Sequence, residues 1–193
     1  MNPAIKSASE GKLQLYYLDA VHFVWGTGFL TGLWCFVRMF VRTSSGRKRY
    51  NILGAYNAIT RTLLTVANES YINSASVCEM LRLLRRSHVG EAITIILDNA
   101  AYQRCLLVQS LAAELDITLL YLPSYSPNLN LIERLWKFTK KQCLNNCYYE
   151  TFDTFKAGID ACLHNIDKKF QSQIASLMTL RFQTFKNDQV VAG

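Results

Sequence analysis

At 193 residues the chain has room for one compact domain with a real core, and a second full domain would be cramped. Half of the residues are hydrophobic, 18% are charged, and there are only 9 Gly and 3 Pro, which excludes a disordered or low-complexity chain. Lys and Arg outnumber Asp and Glu by 21 to 14, and the resulting +7 favours a polyanionic partner such as nucleic acid through phosphate contacts.

The N-terminal MNPAIKSASEGK has neither the basic start nor the apolar run of a signal peptide, and residues 1–12 read as a leader. LQLYYLD follows, with Leu13, Leu15, Tyr17 and Asp19 on one face of a strand and Asp19 at its far end. Residues 21–41 are very apolar, but His22, Arg38 and three glycines interrupt them, which argues against a membrane span. A strand is expected over 33–42, then a basic turn carrying Arg47, Lys48 and Arg49. YNILGAYN and TLLTVAN then form an antiparallel pair joined near Ala58 to Arg61.

After this meander the rhythm becomes helical. Ser74 is placed to cap a helix whose stripe is Val77, Met80, Leu81 and Leu84, ending near Gly90. ITIILD (93–98) is an almost unbroken apolar run, as in a strand covered on both faces, and it terminates in Asp98. A helix over 102–115, a strand over 117–122, the loop LPSYSPN and a helix from about residue 128 or 130 to Asn145 come next. Phe152, Phe155, Ile159, Cys162 and Ile166 mark a last amphipathic helix, with a weakly specified helical tail beyond Lys168. The order predicts an α/β domain over 13–168, a mixed sheet flanked by helices as in ribonuclease-H-like folds, with a C-terminal tail over 169–193.

Three carboxylates carry the candidate chemistry. Asp19 and Asp98 each end an apolar strand, although an aspartate there also starts turns or caps helices. Glu133 falls in the first turn of a helix, where Asn130-Leu131-Ile132-Glu133 equally fits a capping box. Brought together, three carboxylates would repel unless cations neutralise them. Mg²⁺ or Mn²⁺ suits an all-oxygen donor set, and a pair of such ions can activate an attacking oxygen and stabilise a leaving one, so that no nucleophilic side chain is needed. The chain accordingly has no GxSxG, P-loop or HExxH motif. Its six cysteines form no CxxC pair and suit no common zinc site; they read as reduced thiols in a prokaryotic cytosol.

YYLDAVHF, IILDNAAYQ and LPSYSPNLNLIERLW, with 34 residues (99–132) between Asp98 and Glu133, resemble the DDE transposases of the mariner and six-thirty insertion-sequence superfamily. The resemblance covers roughly residues 13 to 166. It implies a ribonuclease-H-like core that holds Mg²⁺ or Mn²⁺, with two ions expected, on Asp19, Asp98 and Glu133. It also implies cleavage of transposon ends and joining of the 3′-hydroxyls to target DNA by a protein working as a homodimer. Asn99 and Trp136 match motif positions, Asn99 as a support for the second ligand and Trp136 as a packing residue. Two positions depart from the pattern: Ala20 stands where many relatives have Glu, and Gln103 where many have His. Family members carry N-terminal helix-turn-helix modules, so the expectation is a catalytic unit without its recognition module. Arg47, Lys48, Arg49, Lys137, Lys140 and Lys141 are the candidate DNA contacts, although Lys137 lies at i+4 from Glu133 and can simply pair with it. Two alternatives use the same residues: a ribonuclease H or junction resolvase, and an inactive DNA-binding remnant.

Overall fold

The computed structural model describes residues 2–26, 36–37, 47–123, 129–166 and 168–180. After α1 (Asn2–Ser9) come β1 (Gln14–Val24), β2 (Arg49–Asn57) and β3 (Leu63–Asn68), then α2 (Ser74–Ser87), β4 (Ile93–Leu97), α3 (Leu106–Glu114) and β5 (Ile117–Tyr121). Three helices follow: α4 (Ile132–Leu144), α5 (Phe152–His164) and α6 (Gln171–Leu177). The five strands form one mixed sheet in the order β3-β2-β1-β4-β5. β1, β2 and β3 pair antiparallel, while β1, β4 and β5 pair parallel, with α2 preceding β4 and α3 preceding β5.

Alternation along β1 sorts the molecule into two cores. Leu15, Tyr17, Val21 and Phe23 face α1, α4 and α5, and Tyr16 and Leu18 face α2 and α3. β4 lies between two parallel neighbours with helices on both faces, and all five of its residues are buried, which is why its sequence is an apolar run rather than an alternation. In α2 the stripe Val77, Met80, Leu81 and Leu84 is fully buried against the sheet.

Several boundaries differ from the sequence expectation. Asp19 does not end β1. The alternation resumes in Val21 and Phe23, and the strand runs on to Val24 against β2. What stops at Leu18 is the pairing with β4. The cap of α2 is Asn73 rather than Ser74: the Asn73 side chain accepts from the Ser76 amide, and the Ser76 hydroxyl accepts from the Asn73 amide. α3 starts at Leu106, because residues 101–105 form turns at the sheet end instead of a first helical turn. Residues 2–9, read as a leader, form α1, with Ala8 in the core. The strand expected over 33–42 lies outside the described residues except for Phe36 and Val37, as do Arg38, Trp34 and most of the LPSYSPN loop. Among the described residues no helix is long and apolar enough to cross a membrane.

Candidate carboxylate site

Leu18 and Leu97 are the last paired residues of the β1–β4 ladder, so Asp19 and Asp98 leave it side by side. Neighbouring strands lie about 4.8 Å apart. Because side chains alternate, both aspartates follow Tyr17 and Ile96 onto the α4 face of the sheet. Glu133 lies in the first turn of α4, the helix packed on that face, within electrostatic reach of both.

The electrostatics record this convergence. Burial pushes the Asp19 carboxyl up to about 7; a hydrogen bond from the Ala20 amide works against the rise, the Asp98 and Glu133 charges add to it, and the Trp136 indole again lowers it. Glu133 is also raised, by burial and then by the Asp98 charge, and Lys137 offsets part of this. Tyr102 flanks the same space: burial raises its hydroxyl, and the Asp19 charge raises it further.

Asn130 ties the site together. It is 1% exposed, and its Nδ2 donates to the Leu18 carbonyl at 3.3 Å and to Asp98 Oδ1 at 3.1 Å. The capping-box reading of Asn130 and Glu133 is therefore overturned: Leu131 precedes the helix with no side-chain cap, and the Asn130 amide is spent on the strand ends. The reason is tertiary, since burial beside two strand ends supplies stronger partners than a local turn. Asn99 is exposed just past Asp98.

Trp136 is buried one turn beyond Glu133 and packs over Gly54, the β2 residue opposite Asp19. A Cβ at Gly54 would stand 2.5 Å from the indole, so only glycine admits the ring here. The indole lies close enough to Asp19 to lower its pKa, although its Nε1 makes no hydrogen bond of standard geometry.

The donor set fits a hard divalent cation: three carboxylates, two with raised protonation, beside the buried Asn130 Oδ1, which has no protein partner. Among the described residues, however, no three His, Cys, Asp or Glu side chains are drawn close enough to form a ready ligand set.

The basic residues divide by exposure and partners. Arg85 donates to the carbonyls of His88, Glu91, Leu115 and Asp116, and Arg134 to those of Leu177 and Thr179, so both tie elements together. Lys137, Lys140 and Lys141 are exposed along α4. Arg47, Lys48 and Arg49 are exposed and line an open concavity of about 540 Å³ with Glu69, Ser70, Tyr71 and Phe152. His22 bonds Asn51 at 2.7 Å, and Trp25 donates to the Tyr149 carbonyl and packs on Phe152. Asn130, Tyr102 and Gly54 are the site residues that sequence reasoning missed. Only Asn130 carried a signal, and it was read as a cap.

Comparison with known proteins bears on the fold and the family. The fold is similar to that of the Mos1 transposase in its paired-end complex with the left transposon end (TM-score 0.63, 13% identity, 94% of this chain and 61% of that chain). It is also similar to the catalytic core domain of BIV integrase (TM-score 0.51, 16% identity, 81% of this chain and 84% of that one). The mixed sheet with its flanking helices is thus the ribonuclease-H-like fold of transposases and integrases. The uncharacterized protein y4pE/y4sA of Sinorhizobium fredii is 31% identical over 84 residues, 43% of this chain and 60% of that protein. The chain spans about three fifths of the length of that relative and of the Mos1 chain. The family described as DDE superfamily endonuclease matches residues 36–156, a stretch that includes Asp98 and Glu133 and begins after Asp19. With more than half of its length matched, the chain belongs to the DDE superfamily endonucleases.

Proposed function

We propose that the chain is the catalytic domain of a DNA transposase of the mariner and six-thirty insertion-sequence group, and that Asp19, Asp98 and Glu133 are its metal ligands. The observation that carries this reading is the convergence of Asp19 and Asp98, from adjacent parallel strands, on the helix bearing Glu133. Bound Mg²⁺ or Mn²⁺ would supply activation of an attacking water or 3′-hydroxyl and neutralise charge on the phosphate. The chain's own residues do the positioning. Asn130 holds the Asp98 carboxylate by a hydrogen bond, and Trp136, seated on Gly54, packs beside Asp19. Asn99, next to Asp98, completes the surroundings of that ligand in the same reading.

Lys137, Lys140 and Lys141 extend from Glu133 along α4 and are suited to backbone phosphates. Arg47, Lys48 and Arg49 offer a second contact. The register pairs Asp19 with Gly54 and Val24 with Arg49, so five residues of extended strand, about 17 Å, separate the carboxylates from the basic concavity. A DNA backbone running along the sheet would meet both. Pairing of two copies and a cytosolic setting belong to the same proposal.

The test is strand nicking of labelled DNA in Mn²⁺. Wild type should nick, EDTA should stop it, and Asp98→Ala should lower the rate by on the order of 10³-fold while binding DNA normally. Nicking that survives Asp98→Ala would sink the proposal. Cleavage confined to RNA–DNA hybrids or four-way junctions, with no joining of 3′-ends, would move it to another ribonuclease-H-like activity.

A further inference from the structure

Away from the carboxylates, the last turns of α4 and α5 enclose a cavity of about 390 Å³ whose wall includes Cys143, Cys162, Asn165 and Lys169. Cys143 on α4 is 3% exposed, and its Sγ lies 4.0 Å from the carbonyl oxygen of Gly158 on α5. Cys162 sits one turn after Gly158, and helical side chains lean back over the preceding turn, so its sulfur is directed at the same spot. Gly158 makes room for Tyr149: a Cβ there would stand 2.6 Å from its ring, and the Tyr149 hydroxyl donates to the Cys143 carbonyl at 2.8 Å. The two thiols are free.

They are not equivalent. Cys162 is partly exposed, whereas Cys143 is sealed in the core. A hydrogen bond from Cys143, helped by the charge of Lys169, holds Cys162 below the ordinary thiol value. The same pairing, with burial, drives Cys143 up. A reactive outer thiol beside a protonated inner one is the arrangement that thiol–disulfide exchange uses.

We propose that Cys162 and Cys143 form a thiol–disulfide exchange site that takes small carboxylate-bearing disulfides such as glutathione disulfide and closes into a bond between α4 and α5. The Cys162 thiolate attacks one sulfur of the small disulfide, and the other sulfur leaves as a thiolate. Cys143 then attacks Cys162, and the second small thiolate is expelled and takes up the Cys143 proton. Two protein thiols are oxidised and one small disulfide is reduced to two thiols. Lys169 at the cavity wall is placed to pair with a carboxylate of the incoming molecule. The bond would clamp the end of the helix whose first turn carries Glu133. In a reducing compartment it would form only transiently, under oxidative load.

The experiment uses the full chain carrying Cys35→Ser, treated with glutathione disulfide, quenched with an alkylating agent and mapped by peptide mass spectrometry. The expected product is a Cys143–Cys162 linked peptide pair that forms several-fold faster than any modification of Cys105 or Cys147. Cys143→Ser should trap glutathione on Cys162, and Cys162→Ser should give neither species. If Cys143→Ser fails to fold, Cys143→Ala serves the same purpose. First modification at Cys147 or Cys105, a Cys147–Cys162 link, or glutathione that stays on Cys162 in the parent chain would each overturn the proposal.

Discussion

The two faces of the sheet are built from the same alternating strands but answer to different constraints. On the α2/α3 face, Tyr16, Leu18, Ile95 and Leu97 pack in one apolar cluster with Val77, Met80, Leu81 and Leu84. On the α4/α5 face the same alternation brings in Asp19 and Asp98 after Tyr17 and Ile96, and buried groups there include Asn130 with an unpartnered oxygen. Burying such groups costs free energy unless a partner arrives. One face is therefore arranged for stability and the other carries the buried polar groups, and substitutions should separate them.

The largest effect on stability is expected at Leu81→Ala, which empties a fully buried position under the sheet. A loss of about 2–5 kcal/mol by urea titration is expected, with nicking per folded molecule unchanged. Lost nicking in molecules that remain folded would show that the two faces are not independent. On the other face, Asn130→Ala should lower metal affinity or nicking by about 10–100-fold, the usual effect of removing a group that orients a ligand. Its stability should change little, because the lost bonds to Leu18 and Asp98 are offset by removal of a buried oxygen without a partner. Gly54→Ala stands between these cases. It forces a methyl against Trp136 and should cost about 1–3 kcal/mol of stability together with a loss of activity, read on one preparation by melting and nicking.

The fold was legible where one short-range pattern had one outcome. The run ITIIL had to be a strand covered on both faces, and the spacing of Val77, Met80, Leu81 and Leu84 had to be a helix lying on a sheet. Legibility failed where local and long-range partners competed. Asn130 and Glu133 have capping-box spacing, yet the amide reaches the ends of β1 and β4, more than a hundred residues away for Leu18. Asp19 looked terminal because a charge interrupts the apolar run. The strand continues because Val21 and Phe23 keep to the same face and β2 still offers backbone partners. Gly54 could not be recognised beforehand, because its importance depends on an indole from α4 that no spacing rule connects to it.

The smallest effect, and the most specific to the carboxylate face, concerns pH. Asp19 has its folded pKa raised to about 7, mainly by burial, against an ordinary value of about 3.9 in an unfolded chain. The folded protein therefore holds this proton more tightly than the unfolded chain. The associated stability is fully present below about pH 4 and is lost as pH rises through 7. Glu133, also raised, acts in the same direction. Metal-free protein should accordingly melt at lower temperature as pH goes from 5 to 8, and Asp19→Asn should flatten that slope because an amide has no proton to lose. Saturating Mg²⁺ should raise the melting temperature most at the upper end, where both carboxylates are charged and a cation that binds only the folded state stabilises it by mass action. Leu81→Ala should shift the whole curve down without altering its slope. A metal-free melting temperature that climbs between pH 5 and 8, or an Asp19→Asn variant with the parent slope, would show that the buried charge on this face does not set the protein's response to pH.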